Sequence, residues 1–268
     1  MDVEAAAAYA RRHELHALLV RRGDAIVYEH YENGWTAEKP HALYSGTKSF
    51  WGPAALAAEA DGLLQLDEPV GATFPEWSRG EKAAVTLRHL LTLTSGIGFG
   101  GLGAAVPVYE KALAVALKTA PGTVFTYGGI PLQVFGAVLA AKLASRGLTP
   151  HAYLRERILE PHGVEIGMWR SLADGTQPLP TGAFVTARAW AAYGAWVCAA
   201  ESALAPCFTG TAANPRYGLG WWLDPRCVYA SGAAEQALYV VREANAVIVK
   251  FGKGSNYKHD AFLKRLLT

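Results

Sequence analysis

Ser45-Gly46-Thr47-Lys48-Ser49-Phe50-Trp51-Gly52-Pro53-Ala54-Ala55-Leu56-Ala57-Ala58 joins a Ser-x-x-Lys to an apolar run. The run predicts a buried helix. Pro53 inside it predicts a kink or a tighter first turn, because proline lacks an N–H and crowds the preceding turn. At a helix start, a spacing of three residues puts hydroxyl and ammonium about one turn apart on one face. The helix N-terminus favours a developing alkoxide or oxyanion. A lysine desolvated beside the serine gives up its proton more readily and can act as a base. The pattern also occurs by chance, and Ser255-Asn256-Tyr257-Lys258 is a second copy. That copy follows Gly252-Lys253-Gly254 and opens an amphipathic surface helix, a poor setting for a desolvated lysine.

Outward from Ser45 the texture changes twice. Residues 2–12 are Ala-rich and favour helix. Residues 15–21 and 25–31 are β-rich runs around Arg22-Gly23-Asp24, the pattern of a hairpin. Residues 217–223, 228–231, 237–242 and 246–251 read as short strands, and the tail from 256 to 267 has helical periodicity. Trp221 and Trp222 adjoin on a strand, so one points in and one out. Between these ends, residues 47–66, 84–95, 108–118, 131–145, 150–160 and 186–199 read as helices joined by Gly/Pro loops. The expected fold is therefore α/β in the α+β sense: one antiparallel sheet from both chain ends, flanked by terminal helices, with a mostly helical lobe inserted. The chain reads as a single domain, 1–268, with a sheet lobe at about 1–44 and 205–268 and a helical lobe at about 45–204.

Composition narrows the function. The 268 residues are 51% hydrophobic and 18% charged, which excludes wholesale disorder. Twenty-five Lys+Arg against 23 Asp+Glu leave +2, too balanced for a nucleic-acid or polybasic membrane binder. The three cysteines, Cys198, Cys207 and Cys227, lack metal-type spacing and read as reduced. His13-x-x-His16 straddles a helix-to-strand change, so no metal site is expected. Gly96-x-Gly98-x-x-Gly101 follows a helical stretch rather than a strand and reads as a loop near a site mouth, not a dinucleotide fingerprint. Gly252-Lys253 lacks the upstream glycine of a phosphate loop, and there is no Gly-x-Ser-x-Gly elbow. No apolar run reaches 18 residues, and the N-terminal stretch lacks a basic region before an apolar core. The expectation is a cytoplasmic protein with no membrane span.

Four further stretches, with Ser45-Gly46-Thr47-Lys48, carry a resemblance. They are Gly62-Leu63-Leu64-Gln65-Leu66-Asp67-Glu68-Pro69-Val70 running on to Phe74-Pro75-Glu76-Trp77, Leu87-Arg88-His89-Leu90-Leu91-Thr92-Leu93-Thr94-Ser95-Gly96, Pro121-Gly122-Thr123-Val124-Phe125-Thr126-Tyr127, and Tyr217-Gly218-Leu219-Gly220-Trp221. In order and spacing they resemble the serine β-lactamase/penicillin-binding-protein superfamily, in its class C-like branch of esterases, amidases and D-amino-acid peptidases. The resemblance implies that Ser45 is a nucleophile, Lys48 its base, and Tyr127 a proton relay to the leaving group. Ala230-Ser231-Gly232-Ala233 falls where the family carries its Lys-Thr-Gly or His-x-Gly edge strand. There Ser231 and Gly232 would bind substrate, and the Ala233 N–H would join that of Ser45 as an oxyanion hole. Ala230 replaces the cation, and Gly129 stands where the family often has the Asn of Tyr-x-Asn. Trp169 and the loop at 177–182 resemble a region facing the site and would line an apolar acyl pocket. The implied activity is a serine hydrolase acting on an ester or simple amide, as carboxylesterases and nylon-oligomer hydrolases do, without metal or cofactor. The alternatives are an acyltransferase using the same site and a non-catalytic binding protein on the same scaffold.

Overall fold

The computed structural model describes residues 1–254 and 256–267. The second Ser-x-x-Lys, through Ser255, lies outside the described residues. The chain opens with α1 (Val3–Arg11), β1 (Leu15–Arg22), β2 (Ala25–Tyr31) and a two-residue β3 (His41–Ala42). A 3-10 turn, Tyr44–Phe50, carries Ser45 and Lys48 and runs directly into α2 (Trp51–Ala60). The helical stretch continues as α3 (Leu87–Leu91), α4 (Tyr109–Leu113), α5 (Ile130–Leu143) and α6 (Pro150–Leu154), with a π turn at Arg155–Leu159. β4 (Met168–Trp169) and β5 (Ala183–Val185) precede α7 (Ala187–Ala199) and α8 (Glu201–Leu204). The C-terminal third holds β6 (Trp222–Asp224), β7 (Cys227–Gly232), β8 (Gln236–Val241), β9 (Ala246–Gly252) and α9 (His259–Leu266).

The main sheet has the order β2-β1-β9-β8-β7-β6, antiparallel throughout, as strands at both chain ends predict. Its central strands are apolar on both faces because both are covered. Leu18 and Val20 of β1, Ile248 of β9 and Tyr239 of β8 pack with α1 and α9. Leu19, Val249, Leu238 and Val240 point the other way, into the large core shared with the helices. Each such fully buried aliphatic side chain contributes roughly 1.5–3 kcal/mol. Apart from Gln133 and Lys142, α5 is apolar on every side and is the centre of the helical part, with Leu132, Val134, Phe135, Val138 and Leu139 all buried. No described helix is long and apolar enough to cross a membrane.

Several elements depart from the sequence expectation. Pro53 does mark a tighter first turn: the chain is 3-10 up to Phe50 and α-helical from Trp51, so the proline's missing N–H falls in the first turn of α2. The helix expected at 84–95 contracts to α3, capped by Thr86, because Leu93 turns left-handed (φ 58°). The helix expected at 108–118 is only α4. The stretch read as helical also contains β4 and β5, which pair with β3 as a second small sheet, β3-β5-β4. Strands of two or three residues are too short to show an alternation. The strand expected at 217–223 is reduced to β6, with Tyr217 bridging back to Trp222. β6 begins at Trp222, so Trp221 lies just before the strand rather than on it; Trp221 is fully buried, and Trp222 is half-buried on the wall that holds Tyr127.

Two histidines, His41 buried and His151 half-buried, should make the fold acid-sensitive. His41 of β3 stacks on Phe251 at 4.7 Å and shares a 2.9 Å hydrogen bond with His16. Burial pulls its pKa to about 4. His151 sits edge-on between Trp51 (5.1 Å) and Trp169 (4.4 Å), and burial pulls it to about 3. Both values lie below that of an unfolded histidine, so the unfolded chain takes up the protons first. Their contribution is fully present above pH ~6.5 and is lost as pH falls towards 4 and 3, by up to ~1.4 kcal/mol per pH unit for each. Chemical denaturation from pH 7.5 to 4 should show this fall, and His151→Phe should flatten it. An unchanged slope in that variant would refute the assignment.

Candidate active site

Ser45 lies at the start of the 3-10 turn, immediately after Tyr44, which is left-handed at φ 47°. A bulky residue in that region is strained, and here the strain sits beside the hydroxyl. The turn is held from behind: the Ser49 carbonyl accepts from the Tyr193 hydroxyl (2.8 Å) and the Trp221 indole N–H (3.0 Å). Lys48 is 1% exposed. Its Nζ donates to Ser45 Oγ at 2.9 Å and to the Pro180 carbonyl at 3.3 Å. No carboxylate pairs with it among the described residues. Burial alone brings its pKa down to about 7. The 178–180 loop is tied at three successive carbonyls, to Trp169 at Pro178 O (2.9 Å), Trp51 at Leu179 O (2.6 Å) and Lys48 at Pro180 O.

Tyr127 reaches the same serine. Burial pushes its pKa up, and the neighbouring Ser45 hydroxyl works against that. Its ring stacks on Trp222 at 5.7 Å, and Lys48 Nζ lies 4.9 Å from its centroid. The end of β7 runs against the turn from the other side. A Cβ on Gly232 would stand 2.0 Å from the Leu43 carbonyl oxygen and 3.2 Å from the Gly46 nitrogen, so only glycine permits that approach. Ala233 follows, and then Ala234 and Glu235 are both left-handed (φ 54° and 67°). Buried side chains fix this unusual pair: Gln236 Nε2 donates to Ala234 O (2.8 Å) and Gly252 O (2.7 Å), and Lys250 Nζ to Glu235 O (3.2 Å).

Ser45, Tyr127, Ser231, Gly232 and Ala233 together line one cavity of about 400 Å³. Its remaining walls are Leu102, Trp222, Tyr229 and His259; among the described residues no lysine or arginine lines it. Leu102 belongs to the Gly-rich loop that the sequence places near a site mouth. Two residues named from the sequence stand apart. Gly129 caps α5 against Gly101, whose carbonyl would be 1.9 Å from an added Cβ, so no side chain fits there. Trp169 lies behind the 178–180 loop and lines a different cavity of about 470 Å³ with His151 and Gln177. Among the described residues no three of His, Cys, Asp and Glu gather into a metal-holding group.

Of the wall residues not singled out from sequence, Tyr229 had a usable signal: it is two residues from Ser231 on one strand, hence on the same face. His259 had none, since it arrives from a helix 28 residues further on.

A family model described as Beta-lactamase matches residues 4–267. Over 161 residues, 51% of this chain, the sequence is 32% identical to Esterase EstB of Burkholderia gladioli. That stretch is 40% of the esterase, so the match spans less than half of that relative. Among solved structures the chain is similar to a provisionally assigned 6-aminohexanoate-dimer hydrolase from Bacillus anthracis, with 17% identity, a TM-score of 0.81, and 96% of this chain and 79% of that one covered. It is also similar to EstCE1, a hydrolase with promiscuous acyltransferase activity, with 15% identity, a TM-score of 0.78, and 98% and 97% covered. At these identities the likeness to the solved structures is one of fold.

Proposed function

The chain belongs to the Beta-lactamase family, and from that premise we propose that it is a serine hydrolase cleaving an ester or simple amide through a Ser45 acyl-enzyme. The observation that carries this reading is the 2.9 Å hydrogen bond from a fully buried, carboxylate-free Lys48 to Ser45 Oγ. A lysine whose pKa burial brings to about 7 exists partly as the free amine at neutral pH. Neutral Lys48 takes the Ser45 proton as Oγ attacks the carbonyl carbon. The N–H groups of Ser45 and Ala233 hold the tetrahedral oxyanion. The Tyr127 phenol, on the same cavity wall as Ser45, gives its proton to the departing alcohol or amine and is reprotonated from Lys48. A water, deprotonated by the same pair, attacks the acyl-enzyme, and that proton passes to Ser45 Oγ as its bond to the acyl carbon breaks and the acid leaves. With no cation on its walls the cavity favours an uncharged acyl group over a carboxylate-bearing one. The similarity to Esterase EstB supports an ester as the first substrate to try.

Incubation with a fluorophosphonate should add one phosphonyl group by intact mass in wild type and in Ser255→Ala, and none in Ser45→Ala. Turnover of p-nitrophenyl acetate should follow the same pattern. An adduct that persists in Ser45→Ala would mean another nucleophile. No adduct and no turnover in any form would favour a non-catalytic binding protein.

A further inference from the structure

The chemistry at Ser45 leaves one hydrogen-bonded chain at the cavity unused. Ser231, near the end of β7, and His259, the first residue of α9, both line the cavity that holds Ser45. Ser231 Oγ and His259 Nε2 are 3.1 Å apart. His259 Nδ1 lies 2.6 Å from the Tyr239 hydroxyl, and that hydroxyl lies 2.8 Å from the hydroxyl of Tyr257. Both tyrosines are buried.

Following the hydrogens gives the chain a direction. Burial, and after it the charge of Lys250, pulls the His259 pKa to about 4, so the imidazole is neutral at pH 7. It then donates from one nitrogen and accepts at the other. With the hydrogen on Nδ1, Tyr239 would accept it and donate onward to Tyr257. The buried Tyr257 O–H would then have no acceptor among the described residues, a costly arrangement. With the hydrogen on Nε2, Tyr257 donates to Tyr239, Tyr239 to Nδ1, and Nε2–H to Ser231 Oγ. Every buried hydrogen in the chain then has an acceptor. The one left over belongs to the Ser231 hydroxyl, which has no protein acceptor among the described residues and stands on the cavity wall. A neutral acceptor oxygen suits this donor better than a carboxylate, which would give up its hydration to a single hydroxyl on aromatic walls.

Resting on the Ser45 reading, we propose that Ser231, oriented by His259 through Tyr239 and Tyr257, is a specificity-determining donor that selects substrates carrying a second, uncharged acceptor oxygen near the scissile ester. His259 is its positioning residue.

Isosteric ester pairs test this by exchanging one methylene for an ether oxygen. On the acyl side, p-nitrophenyl methoxyacetate is compared with p-nitrophenyl butyrate. On the alcohol side, 2-methoxyethyl acetate is compared with butyl acetate. The ether/methylene ratio of kcat/KM is measured in wild type, Ser231→Ala, Ser231→Thr and His259→Phe; intrinsic reactivity cancels when one ratio is compared across variants. In one of the two pairs the ratio should fall about tenfold in Ser231→Ala and His259→Phe and be kept in Ser231→Thr, which retains the hydroxyl. A ratio unchanged by Ser231→Ala in both pairs overturns the proposal. So does a wild-type preference for the monoanionic p-nitrophenyl succinate over both p-nitrophenyl esters. Phosphonylation of Ser45 is followed in parallel. Labelled, active enzyme with unchanged ratios removes this proposal alone, whereas an unlabelled wild type removes the Ser45 reading and this proposal with it.

Discussion

Lys48→Met should lower kcat/KM on p-nitrophenyl acetate by about 10²–10⁴ while making the protein more stable. Both effects have one origin. Lys48 is buried, and among the described residues its acceptors are the Ser45 hydroxyl and the Pro180 carbonyl. Burying an ammonium this way disfavours its charge, and that brings the pKa down to about 7. Methionine fills nearly the same volume without charge, so it removes the penalty together with the base. The sign of the pH dependence follows. From about pH 7 to 10.5 the unfolded chain holds a proton on this lysine that the folded chain has released, so the contribution to stability rises with pH across that window. Below pH 7 the lysine is charged in both states and the penalty is greatest, on the order of a few kcal/mol. The advantage of methionine should therefore be larger at pH 6 than at pH 9 in denaturant titrations. In wild type, kcat/KM should climb through about pH 7 to a plateau, as the amine form of Lys48 becomes populated. Wild-type turnover in Lys48→Met, or a lower denaturation midpoint at pH 6, would refute the assignment of Lys48 as a strained base.

Gly232→Val should cost nearly as much through a different cause. Gly232 is extended (φ −126°), so its backbone conformation is open to any residue; the constraint is space. A Cβ 2.0 Å from the Leu43 oxygen forces β7 away from the turn that carries Ser45. The next residue is Ala233, whose N–H is assigned to the oxyanion hole. Losing one such donor lowers kcat by about 10²–10³, and overpacking adds roughly 1–3 kcal/mol of destabilisation. Turnover and urea midpoint should therefore fall together, with the greater loss in kcat. Activity within a few-fold of wild type would mean that the β7 edge contributes little to the oxyanion.

What the sequence determined is what is encoded over short distances along the chain. Ser45 and Lys48 meet because three residues of any tight helical turn bring them together, and the turn being 3-10 rather than α does not change that. Pro53 places the start of α2, and the β-rich runs at both ends dictate a sheet closed by the two termini. Strand parity alone puts Tyr229 on the same face of β7 as Ser231. What the tertiary structure alone decided is which distant segments share a wall. His259 reaches Ser231 only because α9 packs back across the sheet beside α1. Trp169 was expected to face the site, but its indole is anchored to Pro178 O, on the far side of the loop that gives Pro180 O to Lys48. The acceptors that organise this loop are backbone carbonyls, which every residue possesses, so nothing in the side-chain sequence distinguishes them. The same limit hides β4 and β5, two- and three-residue strands held by pairing rather than by any pattern of their own. Covalent spacing and periodicity are written in the chain, whereas the meeting of remote backbone and side-chain groups depends on how the elements pack.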